Sequence, residues 1–442
     1  MKFPVIPGFD PSAFEKYLKN TGWLLLARVG SLFLKLIVGF AVANYLGATK
    51  NGLLNYPIAF VTFFAAAAAL GLEGIITREL IQNPSNKNYL LGTAITMRLL
   101  SSLFIIPILL VSYLFFNQGG TNNLPFSFIL ITSSVLLFQA CNILDSYFQS
   151  IVQARKIMLA QLSANIFSAA FKILLIFFKA KLIWFVTAIS IDVAILAIFY
   201  LYIFQKSGNS ILDLRFNTSL AKSLFKKSWP LAFSTVLVTI YMKIDQIMIM
   251  KISGEKALGI YTTVVGLSES WYFLPVAIVS SIFPALVNAR KDDIERYQKR
   301  LTDLYDLMVM LSITIGLIMT FSSGLLYDII YKPEFRTGSD VLIVHIWAGV
   351  FVFLGTASSQ YLLAEGFTFI ALLRTGLGAI VNIILNIFWI PKYGIIGAAY
   401  ATLIAYAVAT FFILLLPKTN KQGILMLKSL FLISLFQKII KH

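Results

Sequence analysis

Charge is scarce in this chain. Only 12% of its 442 residues are Asp, Glu, Lys or Arg, while 59% are hydrophobic. A soluble domain is about one quarter charged, so this sequence has too little polar surface to be solvated by water on every side. Cysteine is nearly missing. The single Cys141 excludes an intrachain disulfide and a multi-cysteine metal site, and within its apolar run it reads as packing. Histidine is almost as rare, and His345 and His442 lie far apart. His345, in VLIVHIWAG, reads as a packing or hydrogen-bonding residue. The chain shows no convergent acid, base or metal cluster of the kind catalysis needs. It shows no phosphate-binding nucleotide loop either, which argues against direct ATP drive. The expectation is no cofactor, no metal and no enzyme. The start, MKFPVIPGFDPSAFEKYLKN, has proline and acid where a signal peptide has its apolar core, and reads as a short cytoplasmic arm with an interfacial turn at Phe14–Leu18.

What the chain does have is long apolar runs. Roughly 20 apolar residues cross a bilayer core, and twelve runs reach that length: 21–46, 52–72, 90–116, 124–147, 157–178, 182–204, 224–251, 257–287, 303–330, 341–363, 369–390 and 394–416. In lipid such runs must be helices, because the backbone has to satisfy its own hydrogen bonds. The expected fold is therefore an all-α polytopic membrane protein. The 36 Lys and Arg outnumber the 19 Asp and Glu, for a net charge of +17. A nucleic-acid surface is one source of such an excess. Here the basic residues gather in short links on the same side as the arm and tail, so membrane topology explains them better. That places both termini in the cytoplasm of a multi-pass inner (plasma) membrane protein, with no nucleic-acid partner expected.

The organisation read from these runs is an arm at 1–20, a first six-helix lobe at 21–204, a cytoplasmic linker at 205–223, a second six-helix lobe at 224–416 and a tail at 417–442. A faint repeat supports two halves. Gly47 and Gly52 in YLGATKNGLLNYPIAFV correspond to Gly254 and Gly259 in KISGEKALGIYTTVVGL, each pair following one long helix and preceding the next. The tail stretch GILMLKSLFLISLFQKII is interrupted by two lysines, so it reads as an amphipathic helix on the inner leaflet rather than a further span.

Ionisable groups inside apolar runs are costly and face a bundle interior or a water-filled cavity. Arg28 and Lys35 are two helical turns apart with Ser31 between them, a cationic stripe on the first helix. They suit a cavity that holds water or an anion, or an ion pair with an acid on another helix. Gln161, Asn165, Ser168 and Lys172 follow 4, 3, 4 spacing and share one face of the fifth span. Arg374, Gly378, Asn382 and Asn386 recur every four residues in the eleventh. These stripes suit a cavity wall, or asparagine hydrogen bonds that join helices. Arg98 and Arg374 also lie near proposed helix ends, where snorkelling is the simple alternative. In YMKIDQIMIM, Lys243 and Asp245 are two apart and point to different sides of one helix. Asp245 binds a proton or, as the preferred reading, braces a basic partner. Glu269 partners a cavity lysine or senses protonation. Pro275 and Pro284 offer kinks.

YMKIDQIMIM followed by GIYTTVVGLSESWYFLPVAIVSSIFP resembles the polysaccharide-biosynthesis (oligosaccharide-lipid) flippases, Wzx-like members of the MATE/MOP exporter superfamily. GFAVANYLGATKNGLLNYPIAFV, GLEGIITREL and NIILNIFWIPKYGIIGAAYATLIAY resemble further family segments, so the likeness spans almost the whole chain. The resemblance implies twelve transmembrane helices in two six-helix lobes around a central cavity. It also implies movement of polyprenyl-pyrophosphate-linked oligosaccharide from the inner to the outer leaflet for O-antigen, capsule or exopolysaccharide. Membrane lipids and the polysaccharide polymerase machinery are the implied partners, and proton coupling stays open. The resemblance carries over onto the Lys243–Asp245 region and the Arg78 region, where Arg78 meets a phosphate at entry or, as the preferred reading, anchors its loop; with the polar stripes, the cavity candidates are Arg28, Lys35, Gln161, Asn165, Lys172, Lys243 and Asn382. The coupling or ion-pair candidates are Asp245 and Glu269. Two alternatives stand beside this reading. A MATE-like drug or metabolite exporter would favour embedded acids for cationic cargo, whereas embedded bases are in surplus here. A membrane enzyme acting on lipid-linked glycans would need a catalytic cluster.

Overall fold

The computed structural model describes residues 11–117 and 124–434, and the described residues contain helices, turns and no strand. The expectations for the first ten residues of the arm, for the link at 118–123 and for the last eight residues of the tail, with His442, lie outside them. Ten helical stretches among the described residues are long and apolar enough to cross a membrane. Two of them are too long for one crossing. Leu25–Gln82 has 58 residues and Thr218–Phe283 has 66. At 1.5 Å per residue either would far exceed a hydrocarbon core of about 30 Å if it ran straight. Neither is one regular helix. Pro11–Ala68 is interrupted at Gly47 (φ 77°, ψ 166°) and Thr218–Glu269 at Gly254 (φ 84°, ψ −176°). A side chain is strained at these positive φ values, so the two glycines read from the repeat are the residues that permit both breaks.

Other expected spans appear as single helices, such as Lys87–Asn117, Ala154–Phe177, Leu182–Lys206, Ile294–Ile330 and Thr368–Tyr393. Three are segmented. The 124–147 run is divided by a turn at Ser134 and a 3-10 turn at Gln139–Asn142 into Phe126–Ser133, Val135–Phe138 and Ile143–Ser150. The 341–363 run consists of Gly338–His345 and Ala348–Ala364. The 257–287 run changes to a 3-10 turn at Ser270–Tyr272 before Phe273–Asp292.

The chain divides into two compact units. The first comprises 1–45 and 57–239, the second 46–56 and 240–442. The first has its apolar core around Leu72, Ile76, Leu91, Ile143, Phe148 and Phe204. The core of the second is built on Tyr305, Met308, Val309, Leu354, Ala357 and Ile413. Outward faces are equally apolar: Phe104 is 72% exposed, Phe177 77% and Phe321 85%. Such surfaces are tolerable in lipid and not in water.

Within the second unit the 46–56 segment crosses the 254–262 segment at close range. A Cβ on Gly52 would strike the Glu255 carbonyl, and one on Gly259 would strike the Ala48 carbonyl. The contact is reciprocal under the repeat, since Ala48 and Gly52 correspond to Glu255 and Gly259. Asn51 Nδ2 secures the crossing with bonds to Gly259 O at 2.8 Å and Thr262 Oγ1 at 3.2 Å.

The described part of the tail is helical and packs on a neighbouring helix. Asn420–Leu430 is an eleven-residue helix with Met426, Gln422 and Ser429 buried. Gln422 Nε2 donates to Tyr305 OH at 2.7 Å, and the Ser434 hydroxyl donates to Asp306. Gln422 of the helix and Ser434 beyond it thus bind buried groups of Ile294–Ile330, while Lys421 and Lys428 stay exposed, a partition that periodicity alone does not reveal.

Candidate functional site: polar seams within the membrane-spanning helices

In the first unit the Ala154–Phe177 helix carries its polar face inward, onto two neighbours. Gln161 Nε2 donates to Tyr200 OH at 3.1 Å and Asn165 Nδ2 to Ser31 Oγ at 2.7 Å. Lys172 forms an ion pair with Asp192 of Leu182–Lys206. The 4, 3, 4 spacing thus becomes a seam that reaches the first helix through Ser31. Lys35, one turn along from Ser31, lies within electrostatic range of both Lys172 and Asp192. Two cations therefore share one carboxylate. Among the described residues neither Lys35 nor Arg28 forms an ion pair, so the interhelical acid considered for them is not found. Arg28 lies in the electrostatic surroundings of Asp145 and is exposed, as is Lys35. A charged side chain exposed at membrane depth requires water or an anion, since lipid solvates neither.

Arg98 and Arg374 correct the snorkelling alternative. Arg98 is 3% exposed. It bonds the Ala69 carbonyl at 3.2 Å and Glu73 at 3.1 Å. Arg374, in the second unit, is 8% exposed, and its partners are neutral: Ser358 Oγ at 3.2 Å, Gly355 O at 3.0 Å and Ser359 Oγ at 2.5 Å. Asn386 Nδ2 donates to Asn382 Oδ1 at 2.8 Å, and Asn382 in turn contacts Thr402 at 3.4 Å. Both asparagines are fully buried. The Asn386–Asn382 bond runs along Thr368–Tyr393, and the stripe reaches neighbouring helices through Arg374 and through Asn382, which is buried against Thr402.

Lys243 and Asp245 do separate, as their spacing requires. Lys243 Nζ pairs with Glu269 Oε2 at 3.0 Å, just before the 3-10 turn at Ser270–Tyr272. Asp245 is 4% exposed and accepts from the Tyr261 hydroxyl and from the Gln246 N–H. A basic partner was the preferred reading for Asp245; its direct partners are a phenol and a backbone amide. Tyr261 was not singled out in the sequence, because a tyrosine sixteen residues away in another helix carries no local signal. His345 Nδ1 lies 2.9 Å from Ser268 Oγ, a satisfied buried histidine. Arg78 is at the surface of Glu73–Gln82, its side chain 61% exposed, near Glu79 at 3.7 Å. Among the described residues no group of three His, Cys, Asp or Glu can hold a metal ion.

Apolar helices of spanning length, segmented at mid-run and carrying embedded ion pairs, define a polytopic membrane protein. Solved structures share the fold. An inward-facing multidrug resistance MATE family transporter of the MOP superfamily aligns over 92% of this chain and 99% of its own, with TM-score 0.73 and 13% identity. The lipid II flippase MurJ, in an inward closed conformation, aligns over 95% and 93%, with TM-score 0.71 and 18% identity. Residues 17–290 match the model of the family described as polysaccharide biosynthesis protein, and the chain belongs to that family. It is 23% identical over 404 residues to the capsular polysaccharide biosynthesis protein CapF of Staphylococcus aureus, covering 89% of this chain and 97% of that protein. It is 28% identical over 196 residues to the probable low-salt glycan biosynthesis flippase Agl15 of Haloferax volcanii, covering 43% of this chain and 40% of that protein.

Proposed function

We propose that this transporter moves polyprenyl-pyrophosphate-linked oligosaccharide from the inner to the outer leaflet for polysaccharide assembly. The observation that carries the reading is the surplus of positive charge in the first unit, where Lys35 and Lys172 share Asp192 and Arg28 stands exposed. A pyrophosphate supplies the missing negative charge, and the sugars need the water that accompanies such a seam. Membership of the polysaccharide biosynthesis family supports the glycan part of the cargo. On this reading the breaks at Gly47 and Gly254 each separate two crossings, which raises ten apolar stretches to twelve spans with both termini cytoplasmic.

The test is reconstitution in vesicles with lipid-linked oligosaccharide, followed by an impermeant glycosidase outside. Protein-dependent exposure of the sugar is expected. Exposure no faster than in protein-free vesicles overturns the reading, and protein-dependent uptake of an organic cation in its place favours a drug exporter.

A further inference from the structure

In the second unit three tyrosines gather around the Lys243–Glu269 pair. Tyr241 and Tyr406 stack with ring centroids 4.3 Å apart, and both pack in one cluster with Ala348. A Cβ on the next residue, Gly349, would lie 3.7 Å from the Tyr272 ring. Tyr272 is three residues from Glu269, across the Ser270–Tyr272 3-10 turn, and a 3-10 turn puts residues at that spacing on one face. Tyr406 lies within electrostatic range of Tyr272, Tyr241 and Glu269. Rings and ion pair therefore occupy one place.

Hydrogen-bonding capacity is left over there. The Tyr272 hydroxyl is buried and has no partner, and the Ser268 hydroxyl near it is bound to His345. The Tyr241 and Tyr406 hydroxyls also make no hydrogen bond among the described residues. Lys243 spends one of its three N–H groups on the pair, and Glu269 one of its two oxygens. The side chains of the pair are 23% and 20% exposed. At membrane depth such exposure calls for water or a polar ligand.

Charge selects among ligands. Lys243 and Glu269 balance, and so do Arg374 and Asp245, the other charges in range of these rings. The site has no net charge with which to hold an anion or an organic cation. It offers donors in the phenols and the ammonium, an acceptor in the carboxylate, and aromatic faces. A neutral ring with hydroxyls on its edge and C–H groups on its face matches all three.

We propose that Tyr241, Tyr272 and the Lys243–Glu269 pair form a binding site for a neutral sugar ring of the cargo. The inference rests on the glycan reading for its ligand and adds a sugar subsite that the reading does not contain.

The experiment measures binding of two radiolabelled lipids to the full-length protein in detergent: polyprenyl pyrophosphate, and the same lipid carrying the oligosaccharide. The wild type should bind the sugar-bearing lipid at least fivefold more tightly. Tyr241→Phe/Tyr272→Phe should erase that preference, with affinity for the bare lipid and melting temperature unchanged, because the hydroxyls it removes have no partner in the protein. A purely structural role would instead lower the melting temperature or weaken both lipids equally, and either result overturns the site. So does a double variant that keeps the preference, or an organic cation, ethidium, that displaces the sugar-bearing lipid from the wild type. A wild type that binds both lipids equally overturns the sugar site and leaves the pyrophosphate reading standing. A wild type that binds neither overturns that reading and this site together.

Discussion

The two units treat buried polarity in opposite ways. In the first, cations outnumber their carboxylates: Lys35 and Lys172 share Asp192, and Arg28 is exposed without an ion pair among the described residues. In the second, the embedded ionisable groups have direct partners. Lys243 is matched by Glu269, Asp245 by a tyrosine and an amide, and Arg374 by serine hydroxyls and a carbonyl. Asn386 donates to Asn382, although its own Oδ1 is buried without a hydrogen-bond partner. Charged groups held by direct partners fix one arrangement of helices, while a cationic seam with unpaired members leaves capacity for an anion. That difference teaches where to look for cargo chemistry. Substitutions that break those direct contacts in the second unit should register mainly in stability, and those at the unpaired cations of the first should register in transport.

Four substitutions can break or sharpen this contrast. The largest effect is expected for Lys172→Met, which leaves Asp192 charged with one oxygen already buried and without a hydrogen-bond partner. The two side chains are 22% and 26% exposed and Lys35 remains in range of Asp192, so breaking the pair from one side should cost at most about 3 kcal/mol, the lower end for a buried pair, read as a lower melting temperature in detergent. Lys172→Met/Asp192→Leu should recover most of that loss, and a double variant as unstable as the single one would show that the pair is not the cause. Tyr261→Phe comes next. It removes the hydroxyl that the Asp245 carboxylate accepts from, and a hydrogen bond to a charged group is worth about 2 kcal/mol. Denaturant titration should show the loss, and an unchanged midpoint would mean that Asp245 is held by other groups.

Arg374→Met should cost less, about 1 kcal/mol, because only neutral partners are left behind, and Ser359 keeps its bond to the Gly355 carbonyl. A loss as large as that of Lys172→Met would place an unrecognised anion at Arg374 and weaken the contrast. The smallest change in stability belongs to Lys35→Gln, within about 0.5 kcal/mol as for a substitution that breaks no paired contact. Its transport of lipid-linked oligosaccharide at limiting substrate should nevertheless fall several-fold. Normal transport in this variant would remove the first unit's cationic surplus from the mechanism.

Much of the architecture was legible in the amino-acid order. Lengths of apolar run located the helices, because a bilayer imposes a minimum length and forbids unpaired backbone. The repeated glycines marked both helix breaks, since a positive φ excludes most other residues. The 4, 3, 4 spacing in the fifth span showed that Gln161, Asn165 and Lys172 share a face, and the fold keeps that face polar. Spacing within one helix could not choose the partner on another. Only the packed chain determined that Lys172 meets Asp192, that Asp245 meets Tyr261 and that Arg374 is enclosed by serines. The tail shows the same limit. Its pattern of polar and apolar residues established an amphipathic helix, but that Gln422 meets the buried Tyr305 while Lys421 and Lys428 stay exposed depends on a contact more than one hundred residues away in the chain. Local periodicity is set by the geometry of one helix, and it fixes which side chains share a face. What that face touches is set by long-range packing, where the cost of leaving a buried polar group unpaired selects one partner from many.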